Sequence, residues 1–147
     1  MSVGLCYQIE AMERLTFEND VKVFGIEVKT FPAGIGEAFD ELISKTGDAA
    51  GIRNYYGISS MSNEGKMMYK AVAEEKFDGE AEKLNYDGGV IEKGKYLFET
   101  LYHWPNKTCL IKDIFHSIMN DDHVDKTKPC IEWYKNDDEM LCMVKAK

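Results

Sequence analysis

The chain has no CxxC motif, few histidines and little positive charge, and each shortage bears against a class of function. Its four cysteines, Cys6, Cys109, Cys130 and Cys142, stand far apart with no CxxC pair. Neither a disulfide framework nor a thiolate metal site is spelled out, and the reading is reduced thiols in a cytoplasmic protein. The 3 histidines, His103, His116 and His123, share no ligand spacing, so no metal and no cofactor are expected. With 18 Lys and Arg against 26 Asp and Glu, the net charge is −8. That is the wrong sign for direct contact with nucleic acid, though it favours a cationic ligand. No apolar run approaches the ~18–20 residues of a membrane span, and Met1–Leu5 lacks the basic start of a signal peptide. GxSxG, HExxH and P-loop motifs are all missing, so no residue is assigned as catalytic.

What remains is ordinary globular composition, 44% hydrophobic and 30% charged over 147 residues, enough for one domain with a real core. The order within it is a repeat. Phe31-Pro32 falls on Trp104-Pro105, Ile58 on Ile131, Asn63 on Asn136, Met67 on Met140 and Ala73 on Ala146, at one constant offset. Two similar halves, about 1–74 and 75–147, imply a pseudo-twofold domain of two modules with a shared cleft.

Local patterns fill in the modules. Strands are expected at Tyr7–Leu15 and Val21–Thr30, the second from its alternation of period two. Pro32 and Gly34 end it, and a helix follows over Gly36–Lys45, closed by Gly47. Tyr55–Ser62 and Lys66–Ala73 form a hairpin. Between the halves, Glu74–Asn85 reads as a polar surface connection, with a short strand near Gly89–Ile91. The second half repeats the order: a strand at Lys95–Tyr102, a helix at Lys107–Asn120 and a hairpin of Cys130–Lys135 with Glu139–Lys145. The fold class is α+β, a tandem of β-α-β-β modules with an antiparallel sheet and two main helices on one side.

The repeat is informative where it fails. Cys130-Ile131-Glu132-Trp133-Tyr134 stands opposite Gly57-Ile58-Ser59-Ser60-Met61. One half has small or flexible residues there, and the other has a carboxylate between aromatics. On a strand, Glu132 and Tyr134 share one face while Ile131 and Trp133 share the other. Ile131 is expected to face the helices, as its twin Ile58 should, which puts Glu132 and Tyr134 on the opposite surface. A carboxylate beside ring faces suits a lipophilic cation, each ring adding about 0.5–2 kcal/mol, and an apolar pocket would raise the Glu132 pKa. The plainer alternative is an exposed hairpin Glu beside a core Trp. Glu99 stands where the first half has Ile26, either at an edge or as a second acidic wall. Tyr96, Phe98, Tyr102 and Trp104 form an aromatic run that serves core or cage. Tyr55, Tyr56 and Tyr69 line the other side of the cleft or are ordinary strand residues. Met61 and the hairpin methionines supply adaptable surface or core filling.

Three segments in this order carry a family resemblance: Lys22–Val28 (KVFGIEV), Ile91–Tyr96 (IEKGKY) and Pro129–Tyr134 (PCIEWY), with the terminal strand Met140–Lys145. Together the chain resembles the GyrI-like small-molecule-binding domain, also called the AraC-type effector-binding domain, over nearly its whole length. The resemblance implies a receptor for amphipathic, often cationic, molecules, of the kind that serves multidrug binding and transcription regulation. It places the acidic ligand contact on Glu132 and its aromatic companion on Tyr134. Two departures bear on ligand identity: Glu92 stands where the family often has Pro, and the first helix lacks the common Trp, with Phe39 as its nearest aromatic. Because the chain starts directly in the domain, a stand-alone member without its own DNA-binding module is expected.

The expected function is therefore binding of a lipophilic, cationic small molecule by Glu132, Tyr134, Trp133, Tyr96, Glu99, Tyr102, Tyr55 and Met61. Two other readings stay open. One is a hydrolase that opens strained electrophilic rings, using Glu132 and a Tyr. The other is an inhibitor or interaction module with an unidentified regulator or protein partner.

Overall fold

The computed structural model describes residues 13–48 and 51–147. Eight antiparallel strands form one sheet: β1 (Glu13–Phe17), β2 (Val21–Glu27), β3 (Tyr55–Met61), β4 (Met67–Glu74), β5 (Asp87–Ile91), β6 (Gly94–Tyr102), β7 (Cys130–Tyr134) and β8 (Glu139–Lys145). Helix α1 (Ile35–Thr46) follows β2, the short α2 (Glu80–Lys83) precedes β5, and α3 (Ile111–Met119) lies between β6 and β7. The spatial order is β1-β6-β8-β7-β3-β4-β2-β5. Read outward from the central β7–β3 pair, each side runs hairpin strand, hairpin strand, then the strand before the helix. At the centre, Ile58 pairs directly with Ile131. The first expected strand is found at Glu13–Phe17, and residues 7–12 of that expectation lie outside the described residues.

Apolar periodicity forms the two main helices, and glycine bounds α1. Gly34 and Gly47 sit at its ends with φ of 94° and 70°, a conformation that costs glycine little. The helix expected from Lys107 begins only at Ile111. At Lys107 the backbone leaves helical geometry (φ −132°), and two short 3₁₀ turns, Trp104–Asn106 and Thr108–Leu110, replace the first turn.

Both faces of the sheet are buried. Helix α1 covers the β2–β4–β3 side through Leu42, Ala38 and Phe39 over Phe24, Tyr55, Tyr69 and Ala71. Helix α3 covers the β6–β8–β7 side through Ile118 and Phe115 over Leu97, Leu101, Met140 and Cys142. On the other face the sheet curls on itself. Leu15 and Phe17 of β1 join Val23, Tyr56, Val72, Ile91, Tyr96, Ile131 and Met143 in a third cluster that contains no helix. Ile131 and Ile58 therefore face away from the helices, the reverse of the expectation. Apolar residues mark a core-facing side, and a curled sheet has two such sides, so parity alone could not say which one the helices take.

The connection between the halves is also less bland than expected. Glu80 of α2 is only 4% exposed. Arg53 Nη1 donates to its Oε1 at 2.7 Å, and the same guanidinium nitrogen reaches the Glu74 carbonyl at 2.9 Å. Burial pushes the Glu80 carboxyl up, but the bonds from Arg53 and from the Lys76 backbone N–H outweigh it and hold the group below its ordinary range. Among the described residues, Cys109, Cys130 and Cys142 are free thiols, and no helix is long and apolar enough to cross a membrane.

Candidate functional site

Strand pairing aligns one row of residues across the helix-bearing face. Glu99 pairs with Cys142, Cys142 with Glu132, Glu132 with Gly57, Gly57 with Ala71 and Ala71 with Ile26. Directly paired residues point the same way, so Glu132 stands in the middle of the sheet, between the half covered by α1 and the half covered by α3.

Gly57 makes this possible. A Cβ there would lie 2.0 Å from the Tyr69 hydroxyl and 2.6 Å from Glu132 Oε1. The absent side chain is the space that the tyrosine ring and the carboxylate occupy. Within it, Tyr69 Oη donates to Glu132 Oε1 at 2.9 Å, and Tyr134 Oη donates to the same oxygen through a short bond. The two hydroxyls stand 3.2 Å apart. Hydrogen bonds to a charged group are worth about 1.5–3 kcal/mol each. Among the described residues, Glu132 Oε2 has no hydrogen-bond partner and no cation lies within ion-pair distance of the carboxylate.

Aromatic rings surround the triad. Phe31 stacks on Tyr69 with centroids 4.9 Å apart and planes 11° from parallel. Phe39 of α1 meets Tyr134 edge-on at 5.2 Å, and Trp104 meets it at 5.0 Å. Phe31 and Trp104 are equivalent positions of the two halves, so each half contributes one loop ring to the site. Glu132 itself is 8% exposed. Burial pushes its pKa up, and the bonds from Tyr134 and Tyr69 pull part of the way back. Burial and the neighbouring carboxylate push both phenols well above their ordinary range, so they remain neutral donors.

The eight residues singled out from the sequence divide between the faces. Glu132, Tyr134 and Tyr55 lie together on the helix face. Tyr55 is paired with Tyr134, packs on Phe39 and donates to Asp48 Oδ2 at 2.8 Å. Glu99 lies on that face two strands from Glu132, half-buried, with burial raising its pKa. Met61 has the same parity but sits at the exposed hairpin end. Trp133, Tyr96 and Tyr102 point to the opposite face. Trp133 packs against Tyr56 and Phe17, while Tyr96 is buried with its hydroxyl on the Glu92 carbonyl at 2.7 Å. Tyr102 is 54% exposed. Strand alternation sets Trp133 apart from Glu132 on β7, and sets Tyr96 and Tyr102 apart on β6 from Glu99, the residue aligned with Glu132 through Cys142. Sequence reading left Gly57, Phe31 and Phe39 out of the site and kept Tyr69 only as one option. The pairing of Gly57 with Glu132 spans strands that are far apart in sequence, and no local pattern encodes it.

No family model and no curated protein matches the sequence. Solved structures match the fold over nearly its full length, among them the following three. SAV2435 bound to tetraphenylphosphonium is 16% identical with a TM-score of 0.67, covering 94% of each chain. The integron cassette protein VCH_CASS2 from the mobile metagenome of Vibrio cholerae is 15% identical with a TM-score of 0.65, covering 92% of this chain and 95% of that one. A protein of Staphylococcus aureus MU50 assigned to bacterial transcription regulation is 14% identical with a TM-score of 0.61, covering 92% and 99%. At such identities the likeness is one of fold, and an α+β fold around an eight-stranded curled antiparallel sheet is consistent with the GyrI-like one the sequence motifs implied.

Proposed function

We propose that this protein binds lipophilic cations on the helix-bearing face of its sheet, with Glu132 as the counter-charge. The observation that carries the reading is a buried carboxylate with one oxygen held by two phenols and the other without a partner. Keeping a carboxylate in so buried a place without a counter-charge is costly, and a bound cation would offset that cost. The hydrogen bonds from Tyr69 and Tyr134 fix the orientation of Oε1 and leave Oε2 for the ligand. Phe31, Phe39 and Trp104 offer ring faces at the same place, the surface that a large, weakly hydrated cation prefers. Tetraphenylphosphonium, bound in one protein of the same fold, is a cation of this kind. Because Glu132 is covered by aromatic side chains, entry requires those rings to shift, and affinity in the micromolar range is expected.

The test is a calorimetric titration of tetraphenylphosphonium against neutral triphenylphosphine oxide. The wild type should prefer the cation at least tenfold, and Glu132→Gln should abolish that preference. Equal preference in the two proteins sinks the reading.

The same triad supports a second reading. A carboxyl with raised pKa, beside two neutral hydroxyls, can exchange protons with a bound electrophile. Water addition to an epoxide above the uncatalysed rate, lost in Glu132→Gln, would place this protein among hydrolases. Binding without turnover leaves it a receptor.

A further inference from the structure

On the face of the sheet away from the helices there is a cavity of about 280 Å³ that the reading above does not use. Its floor is the central Ile58–Ile131 pair, joined by Ile91 and Pro129. Ile131 and Ile91 are 3% and 2% exposed, so the floor is continuous with the helix-free core. The mouth is different in character. Lys128 and Lys145 both line it, with a single carboxylate, Glu92, opposite.

The charges at this mouth are unequally satisfied. Lys128 Nζ pairs with Glu92 Oε1 at 3.0 Å. Among the described residues, no carboxylate lies within ion-pair distance of Lys145. Nearby Asp125 accepts from the Thr127 hydroxyl at 2.6 Å and its N–H at 3.0 Å, both at Oδ1, and it makes no contact ion pair with Lys145. Gly94 also makes room for Lys145. With φ of 130°, it presents bare backbone, and a Cβ there would stand 3.1 Å from Lys145 Cε and 3.4 Å from Nζ. With Lys128 paired to Glu92 and Asp125 acting on both lysines only at longer range, the Lys145 ammonium is left over the apolar pocket without a contact ion pair among the described residues. An anionic head with an apolar body meets both requirements: the head completes Lys145, and the body covers the isoleucines.

We infer that this cavity is a second small-molecule site, for a lipophilic monocarboxylate, distinct from the Glu132 triad and on the opposite face of the sheet. Its size, about 280 Å³, falls just below the ~300–1,000 Å³ usual for small-molecule pockets, which suits a small ligand of roughly ten non-hydrogen atoms. An octanoate-sized chain fits that description.

The experiment titrates octanoate and, separately, octanol into the wild type, with isoleucine-methyl NMR as the readout. Octanoate should shift the methyls of Ile58 and Ile131 and bind at least tenfold more tightly than octanol. Lys145→Gln should weaken octanoate at least fivefold while leaving tetraphenylphosphonium affinity unchanged, and Lys145→Arg should retain octanoate binding. Three outcomes overturn the inference: equal binding of octanol and octanoate, no response up to millimolar octanoate, or unchanged octanoate affinity in Lys145→Gln. Methyl shifts confined to α1 and α3 would likewise reject it, placing the anion on the helix face. Because the two sites use different residues, failure here leaves the cation reading standing, and the converse holds.

Discussion

Gly57 and Glu132 face each other across β3 and β7, and the glycine's missing side chain is the volume in which Tyr69 delivers its hydroxyl to the Glu132 carboxylate. Replacing Gly57 with alanine puts a methyl inside contact distance of both groups. The backbone there is ordinary strand, so the penalty is overpacking, typically about 1–3 kcal/mol. Urea unfolding should show that loss, together with loss of cation binding. An alanine variant of unchanged stability would mean that the triad sits elsewhere.

Glu132 should make folding depend on pH in an unusual direction. Its folded pKa is raised above the ordinary 4.5 by burial. Its stabilising contribution is therefore fully present below the unfolded value and is lost as pH rises through the folded one. Glutamine mimics the protonated form. Glu132→Gln should match the wild type at low pH and exceed it by about 1–3 kcal/mol at pH 8. Thermal melts across that range measure the difference, and a variant less stable than wild type at pH 8 contradicts the assignment.

The two phenols should act on Glu132 in the same direction. Tyr69→Phe and Tyr134→Phe each remove one donor from Glu132 Oε1. Both should raise the carboxyl pKa further, moving the pH midpoint of cation binding upward, at a stability cost of about 1–2 kcal/mol. The aromatic packing on Phe31, Phe39 and Trp104 is retained in both. Titration of the Glu132 carboxyl by carbon NMR checks the direction.

The Arg53–Glu80 pair should give a pH dependence opposite to that of Glu132. With side chains 7% and 6% exposed, the pair leaves a buried charge if either partner is removed, at a cost of about 3 kcal/mol. Glu80 is held below 4.5, so its contribution is present above that value and lost as pH falls through the folded pKa. Glu80→Gln should be destabilised at pH 7 and converge on the wild type in acid, as followed by circular dichroism.

Much of this architecture could be read from local pattern. Alternation located the strands, and the 3.6-residue apolar stripe located α1 and α3. The Pro and Gly breaks bounded them. Strand parity also grouped Glu132 with Tyr134 and set Trp133 apart. What parity could not supply was the identity of each face, because the curl of the sheet buries Ile131 as completely as a helix would. Glu80 looked like surface from its acidic neighbours, since its partner Arg53 is distant in sequence. Gly57 escaped for the same reason, and Tyr69 stayed one option among the tyrosines. Both matter to the site through pairing across the sheet, and composition carries no record of register; Phe31 reaches it from the loop after β2, by stacking on Tyr69.

Cation affinity as a function of pH tests the central claim most directly. If Glu132 must shed its proton to pair with the ligand, tetraphenylphosphonium should bind more tightly as pH rises, by up to tenfold per pH unit below the folded pKa, and then level off. Binding should release a proton in that range, and Glu132→Gln should be flat and weak throughout. A wild-type affinity independent of pH, or a glutamine variant with the same profile, would contradict the account.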